Sequence, residues 1–201
     1  MQGFIIAGGK SNRMGRPKAE LMLDGASFID RAALALSAIA GEGIHVAGGA
    51  SGGSRGLSVL ADLDLTENGE RPAGAIVGLY TALSQARSDW IAVLACDLPF
   101  VSGAFLEKLA ACDKAGFDAV VPVQSDGIPQ PLCALYRREA CLPVALELAM
   151  GSDRSLQSML KQIITRFVGY DEFSGLAGAE YFFLNVNSPD DYLVAKGLIE
   201  K

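Results

Sequence analysis

A single histidine, His45, stands among 201 residues, and the four cysteines, Cys96, Cys112, Cys133 and Cys141, include no C-x-x-C pair. The first shortage excludes a histidine-based catalytic triad and a histidine-rich metal site. The second excludes a zinc ribbon or a C-x-x-C redox centre. His45 lies within the short run Ile44-His45-Val46-Ala47, without a cysteine or carboxylate cluster near it, and is read as a structural side chain. No apolar run reaches the roughly 20 residues that span a bilayer. Basic charge is also in deficit: 17 Lys and Arg against 23 Asp and Glu give a net charge of −6. That balance argues against nucleic acid or an anionic membrane as the main partner, yet leaves room for a small anionic substrate where positive charge is local. The cysteines have apolar neighbours, so buried free thiols in a reducing, cytoplasmic compartment are expected. No basic leader or cleavage site is seen at the N-terminus.

Half of the residues are hydrophobic, and a chain of this length buries roughly 70% of its unfolded surface. One domain over residues 1–201 is the expectation. The chain is organised around its first stretch. Phe4 to Ala7 are apolar without alternation, which suits a strand buried on both faces. Gly8 and Gly9 then remove side chains where the backbone turns, so bare N–H groups can face an anion. Arg13, Arg16 and Lys18 follow within ten residues and add fixed positive charge, with Pro17 stiffening the approach to Lys18. The picture is a triphosphate held at the carboxyl end of a first parallel strand. Neither G-x-x-x-x-G-K-[ST] nor a dinucleotide G-x-G-x-x-G is present, so the two common nucleotide loops, and with the second a redox enzyme, are disfavoured.

Further along, Leu21 and Leu23 precede a turn at Asp24-Gly25. Phe28 to Ala40 predicts a helix, with Phe28, Ile29, Ala32, Ala33, Leu36 and Ile39 on one stripe and Ser27 as its cap. Ile44–Ala47 and Leu57–Ala61 predict strands, separated by a glycine-rich loop. Ala73 to Ala86 predicts a second helix, Trp90 to Cys96 a long buried strand, and Gly103 to about Ala115 a third helix capped by Ser102. Asp118–Val123 and Gln130–Tyr136 predict strands, and Arg138–Met150 and Ser155–Ile164 predict helices. Late strands are expected at Thr165–Gly169 and Tyr181–Val186, and a last helix from Ser188-Pro189-Asp190-Asp191. Alternation of strands and helices implies an α/β fold with a doubly wound, mostly parallel sheet in three layers.

Ligands of such a sheet sit above the carboxyl ends of its strands. The first strand delivers Ile6, Ala7, Gly8 and Gly9 there, the Leu57 strand delivers Asp62, and the Trp90 strand delivers Asp97. A polyanionic nucleotide facing a carboxylate calls for Mg²⁺, which binds through one or two carboxylates plus substrate phosphates. Asp97 is the metal candidate, since Leu98-Pro99 holds its backbone; Asp62 is either a second ligand or a turn residue near Asp64 and Glu67. Gly74 and Gly78, four residues apart, fit two accounts equally: close helix–sheet packing, or approach of a helix start to a nucleotide base. Asn185 and Asn187, two apart on a strand end, put both amides on one face, suited to a phosphate or to the waters of a metal.

The opening string contains every fixed position of A-G-G-x-S-x-R-M-G-x-x-K, as Ala7, Gly8, Gly9, Ser11, Arg13, Met14, Gly15 and Lys18. It resembles the nucleotide-binding signature of the molybdenum cofactor guanylyltransferases and their nucleotidyltransferase relatives. The resemblance continues at Cys96-Asp97-Leu98-Pro99-Phe100-Val101, similar to a C-D-x-P-x-[VI] element whose Asp binds the metal. It extends to Gly151-Ser152-Asp153-Arg154, whose Arg is placed near the pterin substrate, and to Asn185-Val186-Asn187-Ser188-Pro189-Asp190. Two elements depart from the family pattern. Ala47-Gly48-Gly49 stands where an Asn touches guanine, and Gly74-Ala75-Ile76-Val77-Gly78 stands for G-P-L-x-G.

The resemblance implies a Rossmann-like nucleotidyltransferase fold and a Mg²⁺-dependent transfer of GMP from GTP to the terminal phosphate of molybdopterin or its molybdenum-loaded form, with pyrophosphate released. Arg13, Lys18 and Asp97 would be the catalytic residues. Ile6, Ala7, Gly8, Gly9, Asp62, Gly74 and Gly78 would join them in binding nucleotide, and Arg154, Asn185 and Asn187 would face the pterin. A protein of cofactor biosynthesis or molybdoenzyme maturation is the partner such a product implies. Two alternatives stay open: a cytidylyl or other nucleotidyltransferase of the same fold, and a non-catalytic nucleotide-binding protein.

Overall fold

The computed structural model describes residues 1–7, 20–48, 57–61 and 73–199. In chain order these form β1 (Gln2–Ile6), a hairpin of β2 (Met22–Leu23) and β3 (Ala26–Ser27), α1 (Phe28–Ser37), β4 (Ile44–Ala47), β5 (Ser58–Leu60), α2 (Ala75–Gln85) and β6 (Trp90–Ala95). There follow α3 (Gly103–Ala110), β7 (Ala119–Pro122), β8 (Cys133–Arg137), α4 (Arg138–Met150), α5 (Leu156–Leu160), β9 (Thr165–Val168) and α6 (Pro189–Ile199). Seven strands form one sheet in the order β5-β4-β1-β6-β8-β7-β9. Every pairing is parallel except those of β8, which runs antiparallel to both β6 and β7. The expected α/β, mostly parallel, three-layer sheet is therefore present, with one reversed strand.

The two faces of the sheet are covered by different helices. Ile5, Val46, Leu94, Val120 and Leu135 point to the layer of α1 and α3. Phe4, Ile6, Val93, Val121, Ala134 and Tyr136 point to the layer of α2, α4 and α5. Side chains alternate across a strand, so an uninterrupted apolar run such as Phe4-Ile5-Ile6 is what burial on both faces requires. Helix starts follow side-chain chemistry. Ser27 accepts from Asp30 N at 3.1 Å while the Asp30 carboxylate accepts from Ser27 N, a reciprocal cap. Ser102 accepts from Phe105 N at 3.2 Å.

One expected strand is absent. Tyr181–Val186 is not extended: Ala179–Tyr181 forms a 3-10 turn, and Leu184 N donates back to Tyr181 O at 2.9 Å. The reason lies in the aromatic rings. Phe182 and Phe183 both pack on Phe105, at centroid distances of 4.8 and 5.6 Å, and Phe173 joins them. Consecutive residues on one face are incompatible with the two-residue alternation of a strand.

All four cysteines are free; Cys96, Cys133 and Cys141 are buried, whereas Cys112 is partly exposed. Burial pushes the Cys133 thiol well up. Burial, followed by the charge of Asp118, pushes Cys141 up to about 12. Thiolate is the reactive form, so a thiol reagent at neutral pH is expected to label Cys112 rapidly and the other three only after denaturation. Fast labelling of more than one thiol in the native protein would contradict this burial.

Candidate active site

The carboxyl ends of β1, β4, β6 and β7 share one edge of the sheet, together with the start of β8. Chain leaving β1 is pinned on both sides there: Ala7 N donates to Ala47 O at 2.9 Å, and Cys96 N donates to Ile6 O at 3.1 Å. The Ile6 side chain is buried, so its backbone, and that of Ala7, is what borders the edge. Gly8, Gly9, Arg13 and Lys18, which follow, and Asp62, after β5, lie outside the described residues.

Asp97 follows β6 in a turn closed by Leu98 N to Ala95 O and Val101 N to Leu98 O, both at 3.3 Å. Leu98 and Val101 are buried and act as anchors, while Asp97 is half-buried. Its carbonyl accepts from Val186 N at 3.0 Å. This bond lays the Asn185–Asn187 segment against the turn that carries Asp97. Val186 is fully buried, with Asn185 and Asn187 exposed on either side. The spacing of two keeps both amides on the open side even though the segment is not a strand. The Asp191 carboxylate accepts from Asn187 N at 2.9 Å and from Ser188 N at 2.8 Å, and Ser188 Oγ accepts from Asp191 N. These bonds fix the approach to α6 and hold the Asn187 backbone in place.

Gly74 and Gly78 part company. A Cβ at Gly78 would sit 3.1 Å from Ile6 Cγ2, so this glycine lets α2 lie close on β1. Gly74 precedes α2 with φ 130° and ψ 177°, and a Cβ there would meet nothing within 4 Å. Only glycine adopts that backbone region readily. Gly74→Ala is therefore expected to destabilise the fold by about 1–3 kcal/mol through torsion alone, read as a lower melting temperature. An unchanged melting temperature would contradict the conformation described.

Arg154 reaches the same edge by topology. α4 begins beside the end of α2, where Arg138 Nε donates to Leu83 O at 3.1 Å, and packs along α2 in the opposite sense. β8 ends at the opposite edge, where Arg137 pairs with Trp90, so the last turn of α4, and Gly151–Arg154 after it, return toward the edge that carries Asp97. Arg154 is exposed. Its neighbour Asp153 accepts from Ser158 Oγ at 2.5 Å and from Ser155 N at 3.1 Å. Those bonds hold the Asp153 carboxyl below its ordinary pKa and tie the turn that carries Arg154.

Two residues that sequence patterns did not mark also build this region. Arg31, on the polar flank of the α1 stripe, donates to Pro99 O and Leu23 O. Tyr192 Oη donates to Met22 O at 2.5 Å. Each acts through a backbone carbonyl far away in sequence, that of Pro99 or of Met22, a contact that leaves no periodic signal.

Among the described residues, no three His, Cys, Asp or Glu side chains converge as a metal-binding group. A protein-only cage is thus missing from that part of the chain. A half-buried carboxylate on a pinned turn fits the sparse protein ligation that Mg²⁺ accepts.

Comparison with known proteins bears on the whole chain. Residues 3–167 match the model of the MobA-like NTP transferase domain. A probable molybdenum cofactor guanylyltransferase of Pelotomaculum thermopropionicum is 31% identical over 98% of this chain and 93% of its own. Molybdopterin-guanine dinucleotide biosynthesis protein A from Archaeoglobus fulgidus superposes with a TM-score of 0.81 at 24% identity, covering 100% of this chain and 99% of that one. A Mycobacterium tuberculosis protein solved in complex with manganese superposes at 0.68 with 17% identity, covering 98% and 97%. The family model and the sequence identity agree: the chain belongs to the MobA-like NTP transferase family.

Proposed function

We propose that the protein transfers GMP from GTP to the terminal phosphate of molybdopterin or its molybdenum-loaded form, releasing pyrophosphate. The observation that carries this reading is the 3.0 Å bond from Val186 N to Asp97 O. It seats two exposed amides, Asn185 and Asn187, beside a half-buried carboxylate at the edge where the glycine-rich loop begins. Such an edge has a nucleotide side and an acceptor side. The name of the Pelotomaculum relative supports guanylyl transfer to molybdenum cofactor.

No protein nucleophile is required. An oxygen of the acceptor phosphate forms the new bond to the α-phosphorus, while the bond from that phosphorus to the bridging oxygen breaks and pyrophosphate leaves with the electron pair. The protein positions the groups and offsets charge. Arg13 and Lys18 hold the triphosphate and stabilise the leaving group; Gly8 and Gly9 offer backbone donors; Arg154, Asn185 and Asn187 orient the acceptor. Asp97, helped by Asp62, would hold Mg²⁺, which when bound neutralises phosphate charge. The manganese complex of the Mycobacterium tuberculosis neighbour supports a divalent ion in this fold. A cytoplasmic setting fits the free thiols, and no helix among the described residues is long and apolar enough to cross a membrane.

Melting of the purified protein with GTP, CTP, ATP or UTP, each with and without Mg²⁺, tests the reading. A ligand at 100 times its Kd stabilises by about 2.7 kcal/mol, or about 5–10 °C for a chain of this size. The largest shift is expected with GTP and Mg²⁺. A largest shift with CTP would move the chain to cytidylyl transfer, as the departures at Ala47-Gly48-Gly49 and Gly74–Gly78 allow. Nucleotide binding without metal-dependent turnover would mark a carrier.

A further inference from the structure

Arg31 joins two backbones, that of the β2–β3 hairpin and that of the turn after Asp97. It is half-buried in the first turn of α1. Its Nε donates to Pro99 O at 2.9 Å, and its Nη1 to Leu23 O at 3.4 Å. Pro99 stands two residues after Asp97, and Leu23 five residues after Lys18. The hairpin is also held from its other side. Leu23 is buried with Phe28, Val186 and Ala195, Phe28 N donates to Leu21 O at 2.9 Å, and Tyr192 binds Met22 O. Val186 in turn binds Asp97 O. The contacts close a ring that runs from the hairpin through Arg31 to Pro99 and Asp97, and back through Val186. A cavity of about 610 Å³, lined by Arg31, Pro99, Phe100 and Ser102, opens beside the guanidinium. On that side the two hydrogen bonds of Arg31 tie the hairpin to the turn after Asp97.

We propose that Arg31 is a positioning residue for nucleotidyl transfer. By spanning two carbonyls it sets the distance between the chain that emerges from the Lys18 loop and the turn that carries Asp97. It thereby decides whether a triphosphate and a divalent ion on Asp97 can be engaged together. The inference rests on the proposed function. A guanidinium is a planar fork of five donors, always charged, and can serve two carbonyls at once; an ammonium is a point charge on a flexible stem. Methionine keeps the apolar stem and removes both bonds.

The test compares wild type, Arg31→Met and Arg31→Lys by melting temperature, GTP affinity in EDTA, Mn²⁺ affinity of the GTP complex followed by electron paramagnetic resonance, and kcat and KM for GTP. Loss of a group that orients a metal ligand costs about 10- to 100-fold in metal affinity or rate. Arg31→Met is expected to weaken Mn²⁺ and lower kcat within that range. Its metal-free GTP affinity should stay within about threefold, because the loop's own contacts to GTP are kept. Arg31→Lys should fall between the two, and it carries the same test if Arg31→Met does not fold. A lower melting temperature with unchanged Mn²⁺ affinity and kcat would show a merely structural role and overturn the proposal. If wild type itself shows no metal-dependent GTP binding, the proposed function fails first, and the role of Arg31 falls with it.

Discussion

Asp97→Asn is expected to release pyrophosphate from GTP about 10²–10³-fold more slowly than wild type, the range found when one preorganised electrostatic contact to a transition state is removed. The substitution keeps shape and removes charge. The turn that holds residue 97 is built from backbone bonds, Leu98 N to Ala95 O, Val101 N to Leu98 O and Val186 N to residue 97 O, none of which needs the carboxylate. The turn itself should therefore persist while turnover collapses. A neutral amide is a poor ligand for a hard divalent ion, so raising Mg²⁺ should restore part of the rate. Steady-state pyrophosphate release across a Mg²⁺ series measures both effects. Full activity at ordinary Mg²⁺ would remove Asp97 from the metal site.

Lys18→Ala is expected to cost one to two decades of rate. A hydrogen bond to a charged group contributes about 1.5–3 kcal/mol, and each ~1.4 kcal/mol is a decade. Charge builds on the leaving pyrophosphate as the reaction proceeds, so kcat should fall more than KM rises. Lys18→Arg should recover part of the loss, since charge is kept while the compact ammonium is replaced by a broader fork. Lys18 lies outside the described residues, and the expectation comes from its place in the string Gly8 to Lys18. Unchanged kcat in Lys18→Ala would cancel its role on the triphosphate.

Buried strands and capped helices were legible because each is dictated locally. Phe4-Ile5-Ile6 has no polar member and proves buried on both faces. Arg138–Met150 is helical over the predicted span, and Ser27 and Ser102 cap the helices they precede. Strand direction is not local. Nothing in Gln130–Tyr136 distinguishes a strand running up from one running down, and β8 enters antiparallel between β6 and β7. The short turn at Ser125-Asp126-Gly127 was the available clue, because so brief a link suits antiparallel neighbours. The segment Tyr181–Val186 has strand-forming residues but takes its shape from Phe105, far off in sequence, and from the nearer Phe173.

For the site, Asp97 and the Asn185–Asn187 pair could be named from their positions after apolar runs and before a capped helix. The bond that brings them together joins backbone atoms and is invisible to residue type. The Arg31 bridge is hidden in the same way. Gly74 and Gly78 looked equivalent by spacing; the fold separates them, one packing on Ile6 and the other turning the chain into α2.

The most direct test of guanylyl transfer is the rate of pyrophosphate release by the purified protein with molybdopterin, Mg²⁺ and GTP, set against the same mixture with CTP or ATP. GTP is expected to be used at least about tenfold better than either, a discrimination of ~1.4 kcal/mol, with no release when molybdopterin or Mg²⁺ is left out. Release with CTP exceeding that with GTP, or none above background with any nucleotide, would contradict it.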